Sequence, residues 1–262
     1  MRKKSYPKKE NVVYFLPNLF TTANLFCGFY AIVASLQDFY IPAGFAILIA
    51  GIFDSLDGRI ARLMKGNSRF GIEYDSLADL MSFGIAPAML MYLWSIESFG
   101  RVGWLACFAF VACGALRLAR FNIKTQTPSK SYFQGLPIPM AAYAIVTTVF
   151  IYHELLWDEF KSPFNLFITF TLAILMVSSI PYRSFKDFEL KDKKSFGLLV
   201  FAIFITIIIA YNPGIMMFGV MMGYLLYGLL SFLWNQCFKQ KPSRAEDEKP
   251  ALKLIENKEH SS

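Results

Sequence analysis

The sequence predicts an all-α protein, a polytopic membrane helical bundle with about eight transmembrane helices. Of its 262 residues, 55% are hydrophobic, and the mean hydropathy is +0.42. A soluble domain of this length is rarely so apolar. Apolar runs of about 17–25 residues recur along the chain, which is the length that crosses the hydrocarbon core of a bilayer. These observations together favour a helical membrane protein.

The apolar runs predict eight spans in order. They are residues 16–36, 41–64, 74–96, 102–121, 136–153, 164–180, 196–211 and 215–238. The last two are separated at Pro213-Gly214, a pair that interrupts helices. Before them, Gly135, Pro137 and Pro139 predict a re-entrant turn ahead of the fifth span.

The positive charges predict the topology. All of the 26 Lys and Arg residues except Arg101 and Lys161 fall at the termini or in loops on one side of the eight spans. The positive-inside rule then places both termini in the cytoplasm of a multi-pass protein of the cell's inner membrane. The net charge of +7 does not indicate nucleic acid binding, because the basic residues stand in short loops between apolar runs.

The cysteines predict neither a zinc site nor disulfide bonds. Cys27, Cys107, Cys113 and Cys237 lie in or beside apolar runs, and none forms a Cys-x-x-Cys pair. We expect reduced thiols that pack between helices.

One acidic cluster stands out from this apolar background. Its members are Asp54, Asp57, Asp75 and Asp79. Spacings of three and four residues put each pair on one face of a helix. Residues 65–68, Lys-Gly-Asn-Ser, predict a turn between the two helices. Two helices can therefore present four carboxylates to each other.

Carboxylates at membrane depth are costly and usually face a polar cavity. Two divalent cations, Mg²⁺ or Mn²⁺, would relieve the repulsion between four of them. Gly58, Ala61 and Gly71 would clear space for a bulky ligand. The alternative is that some aspartates cap helices or pair with nearby arginines, which are Arg59, Arg62 and Arg69.

The order Asp54-x2-Asp57-Gly58-x2-Ala61-Arg62-x8-Gly71-x3-Asp75-x3-Asp79 resembles the signature of the CDP-alcohol phosphatidyltransferases. The resemblance implies that family's fold and a divalent-metal enzyme in the membrane. Such an enzyme transfers a phosphatidyl group from a CDP-linked lipid to an alcohol and releases CMP. Members of the family are homodimers, which implies the same here.

The resemblance also implies roles for the signature residues. Asp54, Asp57 and Asp75 would hold one metal ion. Asp75 and Asp79, with a share from the first pair, would hold the second, and Asp79 would be the general base. The CDP moiety would be lined by the small and basic positions of the motif, which are Gly58, Ala61, Arg62 and Gly71.

The first span carries a polar face made of Asn18, Thr21 and Asn24. Caps and polar packing at a helix start are one interpretation of this face. The other is that it points into the aspartate cavity and contacts the nucleotide. The Pro-Asn-x-x-Thr element of the resembling family lies near the cytidine, which implies a CDP-binding role for Asn18 and Thr21.

Three further strings resemble the serine-accepting branch of the family. They are Ser82-Phe-Gly-Ile-Ala-Pro87, the stretch 114–122 and Phe133-x-Gly-Leu-Pro-Ile-Pro139. Leu80 follows Asp79, where branches that accept glycerol phosphate or build cardiolipin carry lysine. The implied substrates are CDP-diacylglycerol and L-serine.

Two arginines are candidates for the serine carboxylate. Arg117 and Arg120 lie three residues apart on one face of a predicted helix end. Guanidinium pairs well with carboxylate or phosphate. The same residues could instead hold the lipid phosphate or anchor the helix at headgroup level.

The predicted organisation has three parts. Residues 1–15 are a basic juxtamembrane segment, 16–238 the transmembrane catalytic domain and 239–262 a charged, disordered cytoplasmic tail. The alternatives for its function are another alcohol acceptor, such as inositol phosphate or glycerol phosphate, and a divalent-cation transporter. A structural scaffold gives the aspartates no role.

Overall fold

The computed structural model describes residues 15–63, 69–125, 133–155, 162–178, 180–182 and 212–238. Its helices are α1 (Phe15–Leu36), α2 (Tyr40–Leu63), α3 (Arg69–Asp79), α4 (Ala86–Met91), α5 (Arg101–Thr125), α6 (Ile138–Glu154), α7 (Pro163–Val177) and α8 (Pro213–Phe238). Two strands of two residues each, β1 (Phe133–Gln134) and β2 (Pro181–Tyr182), are the exceptions within these ranges. The predicted all-α class is confirmed.

A continuous helical rod runs from Arg69 to Phe99. After α3 it contains a π-helical turn (Leu80–Ile85), then α4, a second π-helical turn (Tyr92–Ile96) and a 3₁₀ turn (Glu97–Phe99). This third span begins at Arg69 rather than near Tyr74, so the second aspartate pair lies inside a helix and not at its start.

Several predicted segments lie outside the described residues. They are the turn at 65–68, the seventh span at 196–211, most of the juxtamembrane segment and the tail. Residues up to Gly228 belong to one compact unit, and a second unit begins at Leu229 within α8.

Within the described residues, four helices are long and apolar enough to cross a membrane. They are Leu16–Leu36, Tyr40–Ala61, Arg69–Phe99 and Arg101–Ile123. Pro163–Val177 and Pro213–Gly228 are shorter apolar helices. Together with large apolar side chains on the outer surface, such as Phe26, which is 67% exposed, they identify a membrane protein.

The core lies where the rod meets its neighbours. α1 packs along α2 and against the start of the rod, α5 packs against α7, and α6 packs against α2. Phe83, Phe110 and Ile145 are fully buried there. The phenylalanine-rich runs thus divide between interhelical packing and the outer surface.

The first π-helical turn directly follows Asp79. Pro87 lies just beyond this turn, and proline has no N–H for the i–4 carbonyl, so the α-helical bonding pattern is interrupted there. Such turns occur often at functional sites. Here the π-helical turn comes immediately after Asp79, the last aspartate of the motif.

A small clasp joins the residues before α6 to the end of α7. β1 pairs antiparallel with β2, with Phe133 opposite Tyr182. The Gly135 N–H donates to the Ile180 carbonyl (2.9 Å) and that of Leu136 to the Leu175 carbonyl (3.0 Å). Where the sequence predicts a re-entrant turn, the chain makes this strand and then enters α6.

Candidate active site

Two helices bring the four aspartates together. Asp54 and Asp57 lie on α2, and Asp75 and Asp79 lie on α3. One carboxylate oxygen each from Asp54, Asp57 and Asp75 lies within 4.8 Å of the other two. The spacing in sequence predicts each pair. Because α2 and α3 both pack against α1, three of the four carboxylates meet in one cluster.

This three-carboxylate cluster fits a hard divalent cation. A bound Mg²⁺ holds oxygens at about 2.1 Å, so its ligand oxygens stand about 3–4 Å from one another, which fits within the 4.8 Å that bounds these three. Within the described ranges, the buried Oδ1 atom of Asp75 has no hydrogen-bond partner. A buried, unpartnered carboxylate oxygen is costly unless a cation meets it.

Asp79 stands outside this cluster of three but close to it. Its carboxylate is within electrostatic range of Asp54 and Asp75. Its Oδ1 atom accepts a hydrogen bond from Asn24 Nδ2 (3.1 Å). The carboxylate of Asp79, the fourth aspartate, is therefore held by a hydrogen bond from α1.

The polar face of α1 is directed at the aspartates, which agrees with one of the two interpretations of the sequence. The Thr21 hydroxyl donates to Asp57 Oδ2 (2.9 Å), and both residues are buried, at 3% and 4% exposure. On the same helix the Thr22 hydroxyl bonds the Tyr74 hydroxyl (2.9 Å). Asn18 is half-buried one turn earlier.

Open space lies beside the small residues of the motif. A Cβ atom placed at Gly58 would meet no atom of the described residues within 4 Å. Ala61 and Gly71 are half-buried on α2 and α3. Arg62 is on the last turn of α2, and its side chain lies outside the described part. Gly58 thus borders a space that a ligand can enter.

The two candidate arginines occupy different surroundings. Arg117 is half-buried and within electrostatic range of Asp79 and of Tyr224 on α8. Its Nε atom is buried and makes no hydrogen bond to the part of the chain that the structure describes. Arg120 is exposed, and its Nη1 atom donates to the Val177 carbonyl (3.5 Å). Arg117 thus lies near an aspartate, and Arg120 contacts the end of α7.

Residues outside the predicted site set also reach it. Tyr143 on α6 lies within electrostatic range of Asp54 and Asp79, and its hydroxyl fills the space where a side chain at Gly51 would stand. Nothing in the sequence marks this tyrosine. Asn24 was marked only by its helical spacing from Thr21, which did not indicate its partner.

A sequence model of the CDP-alcohol phosphatidyltransferase family matches residues 14–182. This range holds the whole aspartate motif and the helices that carry it. The chain belongs to the CDP-alcohol phosphatidyltransferase family. Its resemblance to the family signature is thereby confirmed, and the enzymes of the family are generally dependent on divalent cations.

Curated relatives carry closely related names. A CDP-diacylglycerol–serine O-phosphatidyltransferase of Helicobacter pylori is 39% identical over 86% of this chain and 93% of its own. One of Bacillus subtilis is 35% identical over 69% of this chain and 97% of its own. An archaetidylserine synthase of Methanothermobacter thermautotrophicus is 37% identical over 67% of this chain and 72% of its own.

Proposed function

We propose that this protein transfers the phosphatidyl group of CDP-diacylglycerol to L-serine, giving phosphatidylserine and CMP. The observation that carries the proposal is its similarity, along most of its length, to relatives named for that reaction. The aspartates of the family signature converge in the same structure, which supplies the chemistry that the names require.

The cofactors are two divalent ions, Mg²⁺ or Mn²⁺. Asp54, Asp57 and Asp75 would hold one, and Asp75 and Asp79, with a share from the first pair, the other. When bound, such ions neutralise the diphosphate and stabilise the departing CMP. The close approach of three carboxylates and the unpartnered Asp75 oxygen support the first ion.

Asp79 is the general base of the proposal. The serine hydroxyl oxygen attacks the phosphorus that carries the diacylglycerol, and the bond from that phosphorus to the CMP oxygen breaks. Asp79 takes the hydroxyl proton. A carboxylate held by one hydrogen bond from α1, at the edge of the cluster, is placed to do this without leaving its position.

The CDP moiety occupies the space bordered by α1, α2 and α3. Gly58, Ala61 and Gly71 leave room for it, and Asn18, Thr21 and Arg62 supply polar groups. The open position at Gly58 supports this placement. The acyl chains extend sideways between the spans into the bilayer. The substrate is therefore itself a membrane lipid, and other membrane lipids surround the protein.

Arg117 binds the carboxylate of serine. Its approach to Asp79 and its buried, unpartnered Nε atom support this role over Arg120, which contacts the end of α7. A serine bound between Arg117 and Asp79 has its carboxylate on the guanidinium of Arg117 and its hydroxyl on the carboxylate of Asp79. Arg120 supports the cytoplasmic end of α5 or meets a phosphate.

The setting of the reaction is the inner membrane. The chain crosses it several times, with both termini and the active site on the cytoplasmic side, and works as a homodimer without nucleic acid. The asymmetry of Lys and Arg supports the orientation, and the four long apolar helices support the spans.

The deciding experiment measures CMP release from CDP-diacylglycerol by purified protein, with and without L-serine, with EDTA controls, and for Asp79→Asn. We expect release that requires serine, stops with EDTA and is lost in the variant. Release with inositol phosphate or glycerol 3-phosphate in place of serine would retain the family and refute the acceptor. No release with any alcohol, together with metal flux into liposomes, would favour a transporter.

A further inference from the structure

We infer that Asn24 is a positioning residue for Asp79: it holds the carboxylate of the proposed base in the orientation that receives the serine proton. The inference rests on the proposed function. Asn24 lies on α1, is 0% exposed and donates from Nδ2 to Asp79 Oδ1 (3.1 Å). This hydrogen bond joins α1 to Asp79, the aspartate that lies outside the three-carboxylate cluster.

The orientation of the Asn24 amide follows from its surroundings. Turning the amide over would set its oxygen against a carboxylate oxygen of Asp79, which is repulsive. The Oδ1 atom of Asn24 is buried and has no partner in the described ranges, so the contact with Asp79 sets the orientation of the amide. The N–H group therefore faces Asp79.

The backbone around Asn24 is fixed to the first π-helical turn. The hydroxyl of Ser82 donates to the Asn24 carbonyl (2.9 Å). One turn along α1, Gly28 lets the two segments approach, since a Cβ there would stand 2.7 Å from Ser82 Cα. Asn24 and the residues after Asp79 therefore keep a constant separation, as a positioning contact requires.

This geometry has a chemical consequence. One oxygen of Asp79 accepts from the neutral amide, which leaves the carboxylate with acceptor sites for both the second metal ion and the substrate hydroxyl. Asparagine supplies the hydrogen bond without adding another negative charge beside four carboxylates. Without it the carboxylate would rotate, and misplacing a catalytic group by about 1 Å costs on the order of 100-fold in rate.

The test uses Asn24→Ala and Asn24→Asp in the full-length purified protein. We expect kcat to fall by about 10- to 100-fold. The KM values for serine and CDP-diacylglycerol should stay within about threefold of wild type, because Asn24 acts through Asp79 and not on substrate. In Asn24→Ala, Mn²⁺ binding at the three-carboxylate cluster, measured by electron paramagnetic resonance, should be unchanged, since Asp54, Asp57 and Asp75 are intact.

Asn165 provides the matched control. It is also 0% exposed, donates from Nδ2 to a serine hydroxyl, that of Ser95 (2.7 Å), and has a buried Oδ1 without a partner among the described residues. It lies on α7, away from the aspartates. Asn165→Ala and Asn165→Asp should lower the melting temperature as the Asn24 variants do, with kcat per folded protein near wild type.

Three results would overturn the inference. They are an unchanged kcat in Asn24→Ala, equal losses of kcat in the Asn24 and Asn165 variants, and recovery of Asn24→Ala by excess Mn²⁺. The last would place Asn24 with the metal ligands. Wild-type activity alone tests the proposed function, whereas the ratio of variant to wild type tests Asn24 with whichever alcohol is accepted. A wild type inactive with every alcohol overturns both.

Discussion

At the scale of single residues, the site buries negatively charged carboxylates that other groups of the protein neutralise only in part. Asp57 is 4% exposed and receives a neutral hydrogen bond from Thr21. A buried carboxylate needs a counter-charge or a cation. The oxygens of Asp54 and Asp75 are close enough to share that cation with it.

The first prediction concerns metal binding by Asp57. Asp57→Asn keeps the shape of the side chain but removes one negative charge from the cluster. We expect Mn²⁺ affinity to fall at least about 10-fold and kcat at least about 100-fold, as for loss of a group that stabilises charge in the transition state. Metal titration by electron paramagnetic resonance and CMP release measure the two effects.

The control for this prediction is Asp38→Asn. Asp38 is exposed, far along the chain from the motif, and has φ +62°, a conformation that asparagine also tolerates. Metal affinity and kcat should both match wild type. A drop in metal affinity with Asp38→Asn equal to that with Asp57→Asn would show that the effect is not specific to the cluster.

The second prediction concerns the space beside Gly58. In Gly58→Ala the new methyl group meets no described atom within 4 Å, and alanine is the better helix former by about 1 kcal/mol. We expect unchanged or higher thermal stability, with KM for CDP-diacylglycerol raised about 10-fold because the methyl group enters the ligand's space. Steady-state kinetics and thermal unfolding separate the two effects.

Gly219 on α8 is a matched position, since a Cβ there also meets no described atom within 4 Å. Gly219→Ala should be as stable as Gly58→Ala and leave KM for CDP-diacylglycerol unchanged. If Gly58→Ala also keeps the wild-type KM, the CDP moiety does not approach this glycine.

At the scale of elements, there are two local departures from regular helices, one directly after Asp79 and one near Arg120. The π-helical turn after Asp79 meets α1 at Gly28 and Ser82. The clasp ties the segment before α6 to the end of α7, near the exposed Arg120. Both are backbone arrangements that a side chain in the wrong place would disturb.

The third prediction concerns the clasp. Gly135 has φ +88°, and a Cβ there would stand 3.0 Å from the Ser178 carbonyl oxygen and collide with that of Met176. We expect Gly135→Ala to destabilise the protein by about 3 kcal/mol, the sum of a strained backbone and overpacking. Chemical or thermal unfolding in detergent measures the loss.

The comparison is Gly100→Ala. Gly100 also has a positive φ, +56°, but a Cβ there meets no described atom within 4 Å. This variant carries the backbone strain without the crowding, since φ +56° and ψ −124° suit glycine alone, so we expect a loss of about 2 kcal/mol. Equal losses at the two glycines would mean that the clasp relaxes around the new methyl group.

At the scale of the whole molecule, the apolar surface and the charge pattern give different information. Exposed apolar side chains such as Phe26, Phe108 and Phe167 mark the surface that lipid covers. The proposed orientation of the helices in the bilayer rests on Lys and Arg, which concentrate on one side of the eight predicted spans.

The fourth prediction tests that orientation with the two ends of α5. In a cysteine-free background, Arg101→Cys should react with a membrane-impermeant maleimide in intact cells. Lys124→Cys should react only after permeabilisation, because the proposed topology places that end of the helix in the cytoplasm. The reverse pattern would invert the proposed topology and place the active site outside.

The sequence alone determined the helical class, the aspartate motif and the family, while the predicted span at 196–211 stays a prediction. Hydropathy and helical spacing are local properties, so apolar runs marked the spans and intervals of three and four marked the carboxylate pairs. Helix ends were less certain: the third span starts at Arg69 because the polar first turns of α3 continue a helix that hydropathy alone does not mark.

Only the tertiary structure decided which polar groups meet. Asn24 and Asp79 are 55 residues apart, and Asn24 and Ser82 are 58 apart. Arg117 and Arg120 are equivalent by spacing, yet Arg117 lies near Asp79 and Arg120 contacts the end of α7, since the packing of α5 gives the two side chains different surroundings. Such contacts depend on how helices pack across long separations, and no local pattern of residues records that.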